Sequence, residues 1–512
     1  KSGRNEGAMA EPMRRREFLK AGLAAGLAGA AAPRVRAAAP GRRPNILFIL
    51  TDQQNIDTIG AHAAHFTHAA HGPRWVSTPN LDRLVRRGVS FLESHSVNPV
   101  CSPNRSCLMT GRMAVETGVI VNNYGICRDV PNVAQWFACH GDYRRFYCGK
   151  WHLPAGYPAP EGPTAAEGFT VIPLGGTSCG DFNDYAVSQS TQAFLRSYRD
   201  AAPFFYVASL MNPHDICYWT PPLGGKVITR DADHCRLGDR LPPLPPNHDY
   251  AFEAQDPYAA QRITVWDEAH WRNYAYDYYR MVERVDADVG RMLDAIEDRD
   301  DETLVIFTSD HGEGLGRHRR VQKWHPFEQS LKVPLIVSCP GRIRENAIDT
   351  THLTMSVDVV PTLCDFAGIP PPPNCRGRSL RPLLEGDPAV EWREHVYAEF
   401  QRAGRVLRTP RFKYAKFYRR SNKELEPFLD ASGATSAFDP ARVGDFQVED
   451  ARFLFDIQAD PWETTNLAGD PRFSDTVRDH DRLLREAWER RLVPGEPSRP
   501  PQPGRAKKSA GR

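Results

Sequence analysis

Residues 45–52 read Asn-Ile-Leu-Phe-Ile-Leu-Thr-Asp, an apolar run that ends on two polar residues. This pattern is typical of a buried parallel strand, which is apolar on both faces and carries polar side chains at its carboxyl end. The layout recurs where the run 204–210 leads into Asn212-Pro-His-Asp215, and where the run 303–308 leads into Ser309-Asp-His-Gly312. Because open α/β sheets bind ligands beyond the carboxyl ends of their strands, the three ends predict one assembled site.

Helical patterns separate these predicted strands. One covers residues 81–87, and a longer one covers residues 274–297, where apolar residues recur at helical spacing. Strands that alternate with helices predict an α/β fold, in which helices sandwich a large, mostly parallel sheet. We assign this catalytic domain to residues 40–385.

A different pattern follows at residues 386–492. Short aromatic-rich strands are predicted at 395–400 and 412–417, and a final helix at 479–491. These elements predict a smaller C-terminal α+β domain. The last stretch, 493–512, is rich in Pro, Lys, Arg and Gly and is predicted to be a disordered tail.

The amino terminus has the order of an export signal. A basic run, Arg14-Arg-Arg-Glu-Phe-Leu-Lys20, precedes an apolar stretch at 21–32. Arg15-Arg16 with Phe18 and Leu19 resembles the twin-arginine pattern, so we expect residues 1–39 to be a signal read by the twin-arginine export machinery. A short amphipathic helix is the alternative. The apolar stretch is too short for a stable membrane span, and we expect a periplasmic or secreted protein.

Charge and cysteine content narrow the function classes. The 512 residues carry a formal net charge of +2, so no global field favours nucleic acid or a membrane surface. Eleven cysteines in an exported chain permit disulfides and leave at least one thiol unpaired, for which we nominate Cys101. The absence of a C-x-x-C pair argues against a structural zinc site.

The most specific motif is Cys101-Ser-Pro-Asn-Arg105, followed by Ser106-Cys-Leu-Met-Thr-Gly-Arg112. It opens a predicted helix, whose N-terminal N–H groups favour an anion. The alternative interpretation is that Cys101 is a buried structural cysteine without a chemical role. Together with Gly149-Lys-Trp-His-Leu153 and further matches across residues 43–468, the motif resembles the type I, formylglycine-dependent sulfatases of the alkaline phosphatase superfamily. The resemblance implies the alkaline-phosphatase-like fold and sulfuric ester hydrolase activity.

The resemblance also implies roles for the residues that match the family motifs. Cys101 would be converted to formylglycine by a formylglycine-generating maturation enzyme. One hydroxyl of the hydrated aldehyde would attack sulfur, and the other would expel sulfate. Arg105 and Lys150 would hold the formylglycine oxygens, and His152 would deprotonate the second hydroxyl. His214 and Lys323 would bind the sulfate and protonate the leaving oxygen.

A divalent cation is part of the same resemblance. Its ligands would be Asp52, Gln53, Cys101 in its modified form, Asp310 and His311. Oxygen ligands suit Ca²⁺ best, with Mg²⁺ or Mn²⁺ as alternatives. The family often has a second aspartate where this chain has Gln53, which removes one formal charge. Taken alone, an aspartate at a strand end more often caps a helix.

Other cationic side chains have weaker assignments. His318 and His325 are further candidates for substrate contact. The basic loop Arg317-x-Arg319-Arg320 would meet additional sulfates of a glycan, although such a run is more often a solvated face. The histidines at positions 62, 65, 68 and 71 suggest a metal site, but solvated loop histidines are the favoured interpretation.

Taken together, the sequence predicts a sulfatase that hydrolyses a sulfate ester, with a sulfated glycan or a small sulfate ester as substrate. One alternative keeps the site and changes the substrate to a phosphonate monoester or a phosphodiester. Another is a glycan-binding pseudoenzyme in which Gln53 marks a lost metal site. Retention of Cys101, Lys150 and His214 together with the other motif residues argues against the pseudoenzyme.

Overall fold

The computed structural model describes residues 43–122, 124–153, 166–172, 180–219, 240–250, 266–400, 404–417 and 451–492. Its strands are β1 (Asn45–Asp52), β2 (Gly88–Phe91), β3 (Ser94–His95), β4 (Arg144–Gly149), β5 (Thr170–Ile172), β6 (Phe204–Pro213), β7 (Thr303–Ser309), β8 (Leu335–Ser338), β9 (Ala347–Asp349), β10 (Thr354–Met355), β11 (Val396–Phe400), β12 (Gly404–Arg408), β13 (Phe412–Phe417) and β14 (Arg452–Asp456). Its α-helices are α1 (Pro79–Arg86), α2 (Cys101–Thr110), α3 (Ala114–Thr117), α4 (Val133–His140), α5 (Gly180–Ser197), α6 (Glu268–Asp294), α7 (Glu328–Leu331), α8 (Val359–Ala367), α9 (Arg381–Glu385) and α10 (Ser474–Leu483).

The large sheet has the strand order β5-β4-β6-β1-β7-β8-β2-β9. Neighbouring strands run parallel except at β8, which is antiparallel to both β7 and β2. The three strands predicted from their apolar runs, β6, β1 and β7, are adjacent at the centre, with Ile49 paired to Ala208 on one side and to Phe307 on the other. The prediction of a mostly parallel α/β sheet is confirmed.

Both faces of this sheet are covered, which explains why β1 is a continuous apolar run. Phe48 faces a core that it shares with residues of α8, including Leu363. Ile49 faces the opposite core, which it shares with residues of α6, including Val289. A strand buried on two faces has no polar positions until it leaves the sheet, which β1 does at Asp52.

The C-terminal elements form a separate antiparallel sheet in the order β11-β12-β13-β14, with α10 beside it. The strands predicted at 395–400 and 412–417 are β11 and β13. The predicted final helix begins earlier, at Ser474, and continues in other helical turns to Arg491. The smaller α+β unit is thereby confirmed, while the proposed boundary at residues 385/386 stays a prediction.

Two predicted segments, the export signal at 1–39 and the tail at 493–512, lie outside the described residues. Within the residues that are described, no helix combines the length and apolar character needed to cross a membrane.

Candidate active site

The carboxyl ends of the central strands bring the predicted site residues together. Asp52 ends β1, Asp310 follows β7, His214 follows β6, and Lys150 follows β4. These four strands are neighbours in the order β4-β6-β1-β7. The convergence inferred from the three apolar runs is therefore observed, at the edge where α/β sheets bind ligands.

Cys101 is the first residue of helix α2, as the motif predicted. Its side chain is buried, and its Sγ lies 3.2 Å from Nε2 of His311 and 3.8 Å from Oδ1 of Asp52. The first turn of a helix presents backbone N–H groups without intrahelical partners, which favours negative charge at this position. The thiol thus points from a helix terminus into the strand-end cluster.

Nearby cations dominate the ionisation of this thiol. Burial opposes ionisation, and so does the Asp52 carboxylate. Lys323, Lys150 and His311 nevertheless hold the pKa of Cys101 well below its usual value. A low-pKa thiol beside cations is a reactive group rather than an inert structural cysteine.

Being unpaired does not distinguish Cys101. Cys107, six residues further along α2, is a buried free thiol like Cys101. Burial raises the pKa of Cys107 well above its ordinary value, and the carboxylate of Glu399 adds to this effect. Cys101 is unpaired, as predicted, but its electrostatic surroundings rather than the odd cysteine count set it apart.

Arg105 bridges the carboxylates of Asp52 and Asp310. Its Nε donates to Oδ2 of Asp310 at 2.8 Å and its Nη2 to Oδ2 of Asp52 at 3.1 Å. Its Nη1 donates to the Lys150 carbonyl and to the Ser209 hydroxyl. We expected these donors to face the oxygens at position 101. The structure differs, because the buried guanidinium is largely used to hold the carboxylates in place.

Lys150 and His152 reach the site through a turn of the backbone that follows β4. An extended segment would place both on one face, but β4 ends at Gly149, where φ is 102°, and His152 is also left-handed with φ 58°. Lys150 Nζ still donates to Oδ2 of Asp52 at 2.5 Å, and the His152 ring lies close enough to Cys101 for the two groups to interact electrostatically. Burial and the positive charge of Lys150 lower the pKa of His152 below its ordinary value, so the neutral imidazole is favoured.

Lys323 and His214 are the remaining basic residues predicted for the site. Lys323 Nζ donates to Oε1 of Gln53 at 2.5 Å and lies 3.7 Å from Sγ of Cys217. Although burial opposes its charge, Cys101 and the other nearby anionic groups raise the pKa of Lys323, so the ammonium ion persists. Burial, Lys150 and Lys323 lower the pKa of His214 to about 4, so this imidazole is neutral near pH 7.

Gln53 is held in a buried network that the sequence did not reveal. Its Nε2 donates to Oε2 of Glu313, whose Oε1 accepts from the Tyr274 hydroxyl at 2.8 Å. Its Oε1 accepts from Lys323 and from the Cys217 thiol. The amide oxygen therefore already has donors, and its role as a metal ligand stays a prediction. Glu313 lies three residues beyond Asp310, so the strand-end pattern contained a signal for it, whereas Cys217 had none.

The site contains a set of ligand atoms suited to a cation. One ligand atom from each of Asp52, Cys101, Asp310 and His311 lies within 4.8 Å of the others, and all four residues are buried. Burial and the negative charge of Asp52 raise the pKa of Asp310 to about 7. Although burial raises it, Lys150 and the other nearby basic groups hold the pKa of Asp52 well below its usual value. An ionised carboxylate beside Asp310 and an imidazole fits a divalent cation.

The remaining histidines lie elsewhere. No second group of metal-ligating His, Cys, Asp or Glu side chains occurs among the described residues. His62 is buried with its ring nitrogens near the Ile56 carbonyl and the Ser90 hydroxyl, and His71 stacks on Trp462 at 4.9 Å. The favoured prediction, solvated loop histidines, holds only for the exposed members of the cluster, His65 and His68.

The basic loop and its histidines are also turned inward. His318 is buried against Phe327 and contacts Asn247, and His325 is buried against Ser330. Two arginines of the loop form ion pairs, Arg317 with Asp57 and Arg319 with Asp249. The third, Arg320, is buried. This loop therefore does not present the free cations that a glycan contact requires.

Comparisons with known proteins agree with this geometry. A family model described as Sulfatase matches residues 44–369, and one described as N-sulphoglucosamine sulphohydrolase, C-terminal, matches residues 316–430. The chain is 28% identical over 474 residues to a Delta 4,5-hexuronate-2-O-sulfatase from Bacteroides thetaiotaomicron, which covers 86% of this chain and 88% of that protein.

Solved structures share the fold. The structure of a 2-O GAG sulfatase superposes with a TM-score of 0.68 at 24% identity, covering 89% of this chain and 98% of that one. The phosphonate monoester hydrolase of Agrobacterium radiobacter superposes with a TM-score of 0.66 at 23% identity, covering 88% and 96%. At these identities the superpositions establish the architecture.

Proposed function

The chain belongs to the sulfatase family and is a sulfuric ester hydrolase, and on that premise we propose that it removes sulfate from a glycan through a formylglycine formed from Cys101. The observation that carries the proposal is the position of Cys101 Sγ. It lies at a helix N-terminus, 3.2 Å from His311, among carboxylates and cations at the strand ends. The hydrated aldehyde of formylglycine supplies a hydroxyl that attacks sulfur.

A divalent cation, for which we propose Ca²⁺, would be held by Asp52, Asp310, His311 and the modified Cys101 side chain, with Gln53 as a further candidate. Such an ion supplies positive charge that polarises the sulfate oxygens. Arg105 keeps both aspartates in position, since it bonds the oxygen of each that does not face the ligand group.

The remaining residues act on protons and charge. Neutral His152, which lies beside position 101, is suited to accept a proton there. Lys150 and Lys323 are placed to stabilise the negative charge of the bound sulfate group. Lys323 also supplies an N–H for the leaving oxygen, and His214 is placed to donate a hydrogen bond in its neutral form.

Support for a glycan substrate comes from two relatives, the Delta 4,5-hexuronate-2-O-sulfatase and the 2-O GAG sulfatase. Export through the twin-arginine pathway to the periplasm or beyond is consistent with a polymeric substrate that cannot enter the cell. Cell fractionation of an Arg15→Lys, Arg16→Lys variant tests this part, with retention in the cytoplasm as the expected result.

The decisive experiment combines peptide mass with substrate preference. We expect protein coexpressed with the maturation enzyme to carry an aldehyde in place of the Cys101 thiol and to hydrolyse an aryl sulfate faster than a phenylphosphonate monoester. Cys101→Ala should lower kcat/KM roughly 10³-fold or more, as expected for loss of a nucleophile. Cys107→Ala is the matched control, since it removes a buried thiol from the same helix away from the ligand group.

Two results would contradict the proposal. Full activity with an unmodified thiol at position 101 would exclude the formylglycine mechanism. A faster reaction with the phosphonate monoester than with any sulfate ester tested would favour the phosphonate hydrolase alternative.

A further inference from the structure

A second polar cavity lies at the junction of the two units, away from the strand-end site. Its volume is about 550 Å³, within the range of small-ligand pockets. It is bounded on one side by the segment from Cys375 to His395 and on the other by the end of the C-terminal helical region, from Ala487 to Leu492. Its lining includes four arginines, at positions 376, 378, 393 and 491.

Two of these arginines are neutralised within the protein. Arg376 donates from Nε to the buried Glu116 carboxylate at 3.0 Å, and also from Nη2. Arg393 binds both oxygens of the buried Asp358, at 2.5 and 2.6 Å. In each of these bidentate pairs the carboxylate neutralises the guanidinium, so neither arginine adds net charge to the cavity.

The other two arginines are available to a ligand. Arg378 and Arg491 are exposed, and neither forms an ion pair with any residue that the structure describes. The one carboxylate in the lining is that of Glu394. Burial lowers the pKa of His395, and the positive charges of Arg393 and Arg378 lower it further, which agrees with a positive potential in the cavity.

Aromatic rings supply the second recognition element. Trp488 stacks on Tyr397 at a centroid distance of 5.1 Å and an interplanar angle of 15°. Its indole Nε1 is buried and has no acceptor among the described residues. Trp392 lies in the same lining and donates its own N–H to the Leu353 carbonyl at 2.7 Å. A buried indole N–H without a partner costs free energy, so a ligand oxygen would satisfy it.

The cavity is distinct from the catalytic centre. Arg376 donates its backbone N–H to the carbonyl of Gly111, the residue that caps the carboxyl end of α2. Cys101 is at the opposite end of this ten-residue helix, roughly 15 Å away at 1.5 Å per residue. One ligand group therefore cannot occupy both sites.

We propose that this cavity is an accessory binding site for an acidic saccharide unit, sulfated or carrying a carboxylate. Arg378 and Arg491 bind its anionic groups, the ring of Trp488 contacts its apolar face, and the indole N–H donates to one of its oxygens. Arginine suits these anions because its planar fork matches their paired oxygens. The site does not depend on which ester the catalytic centre hydrolyses.

Isothermal titration with sucrose octasulfate, a polysulfated disaccharide, tests the proposal. All proteins carry Cys101→Ala to prevent turnover. We expect Arg378→Ala with Arg491→Ala to weaken binding at least tenfold at constant salt. Trp488→Phe, which keeps a ring against Tyr397 and removes the N–H, should weaken it several-fold. The matched control is Arg86→Ala with Arg196→Ala, which removes two exposed arginines from α1 and α5 and should leave binding unchanged.

The comparison isolates the cavity because the catalytic centre is the same in every variant. Equal losses for the two arginine pairs would show unspecific attraction to a basic surface and would overturn the proposal. Binding of inorganic sulfate as tight as that of sucrose octasulfate would overturn the saccharide assignment. In chains that retain Cys101, both arginine pairs should leave aryl sulfate hydrolysis unchanged, which separates this test from that of the proposed function.

Discussion

Asp52 and Asp310 divide their carboxylate oxygens between two tasks. The Oδ2 atoms accept from Arg105, and that of Asp52 also accepts from Lys150. The Oδ1 atoms face His311, whose Nε2 lies 3.8 Å from Asp52 and 3.6 Å from Asp310. This division helps two buried acids to coexist. Cations of the protein stabilise the Oδ2 side, and the Oδ1 side, where Asp310 also accepts the backbone N–H groups of Gln53 and His311, faces the proposed cation site.

Asp310→Asn should weaken binding of the divalent cation at least about tenfold, since it removes a charged ligand whose second oxygen is held by Arg105. The metal content of purified protein, measured by mass spectrometry after dialysis, reports this directly. Asp200→Asn, at an exposed ion pair with Arg144, is the control and should keep full content. Wild-type metal content in Asp310→Asn would rule out a ligand role for this residue.

At the scale of elements, the C-terminal sheet stabilises the segment that carries Lys323. Glu328 of α7, five residues after Lys323, lies 3.5 Å from Lys413 Nζ of β13 and 3.6 Å from Arg408 of β12. Lys413 also pairs with Glu463 in the interior. Because these charges are buried, removing one partner would leave a buried charge without a counter-ion. The C-terminal sheet therefore stabilises the segment that carries Lys323.

Strand β11 provides a pH-sensitive contact between the units. Glu399 pairs across the sheet with Arg405, and its Oε2 accepts the backbone N–H of Val115 in α3 at 3.1 Å. Burial raises the pKa of Glu399 to about 7, and Glu116 and Glu489 add to this, although Arg405 opposes it. The folded state therefore binds a proton more tightly here than the unfolded chain does.

The sign of the pH effect follows from this raised pKa. The stabilising contribution is complete below the unfolded pKa, about 4.5, and is lost as the pH rises through about 7. Glu399→Gln should remove this loss and gain roughly 1–3 kcal/mol relative to wild type between pH 5 and pH 8. Melting temperatures at both pH values measure it. Glu385→Gln, at an exposed pair with Arg381, is the control, and equal pH slopes for wild type and Glu399→Gln would refute the assignment.

At the scale of the whole molecule, the two units share a core. One apolar cluster combines Val97, Met113 and Met355 of the large unit with Leu407 and Leu454 of the C-terminal sheet. The predicted boundary at 385/386 therefore separates two patterns of sequence, but it cuts through a continuous apolar contact. Burial of apolar surface contributes about 25 cal/mol per Å² to stability. Each unit is therefore stabilised by its contact with the other.

A chain limited to residues 40–385 should be insoluble, because truncation exposes the large unit's side of this shared core. A chain limited to residues 40–492 should stay soluble and keep full aryl sulfatase activity. Soluble yield and size-exclusion chromatography compare the two directly. A folded, monomeric 40–385 fragment would show that the large unit is independent of the C-terminal sheet.

Local patterns in the sequence were sufficient for the fold class, the helix that begins at Cys101 and the strand ends that carry Asp52, His214 and Asp310. They were sufficient because a strand buried on both faces must be apolar throughout, and its first polar residues mark where it leaves the sheet. The motif around Cys101 predicted the nucleophile that we propose for a similar reason, since the proposed chemistry requires fixed neighbours along one helix turn.

Only the tertiary structure decided which partners those residues have. Arg105 bonds to Asp52 and Asp310, 53 and 205 residues away, and Gln53 meets Lys323 across 270 residues. The sequence also did not predict that the arginines of the basic loop are paired or buried, or that two arginines of the second cavity are exposed. Spacing along the chain does not encode such contacts, because they depend on the order of strands in the sheet and on how the C-terminal unit packs against it.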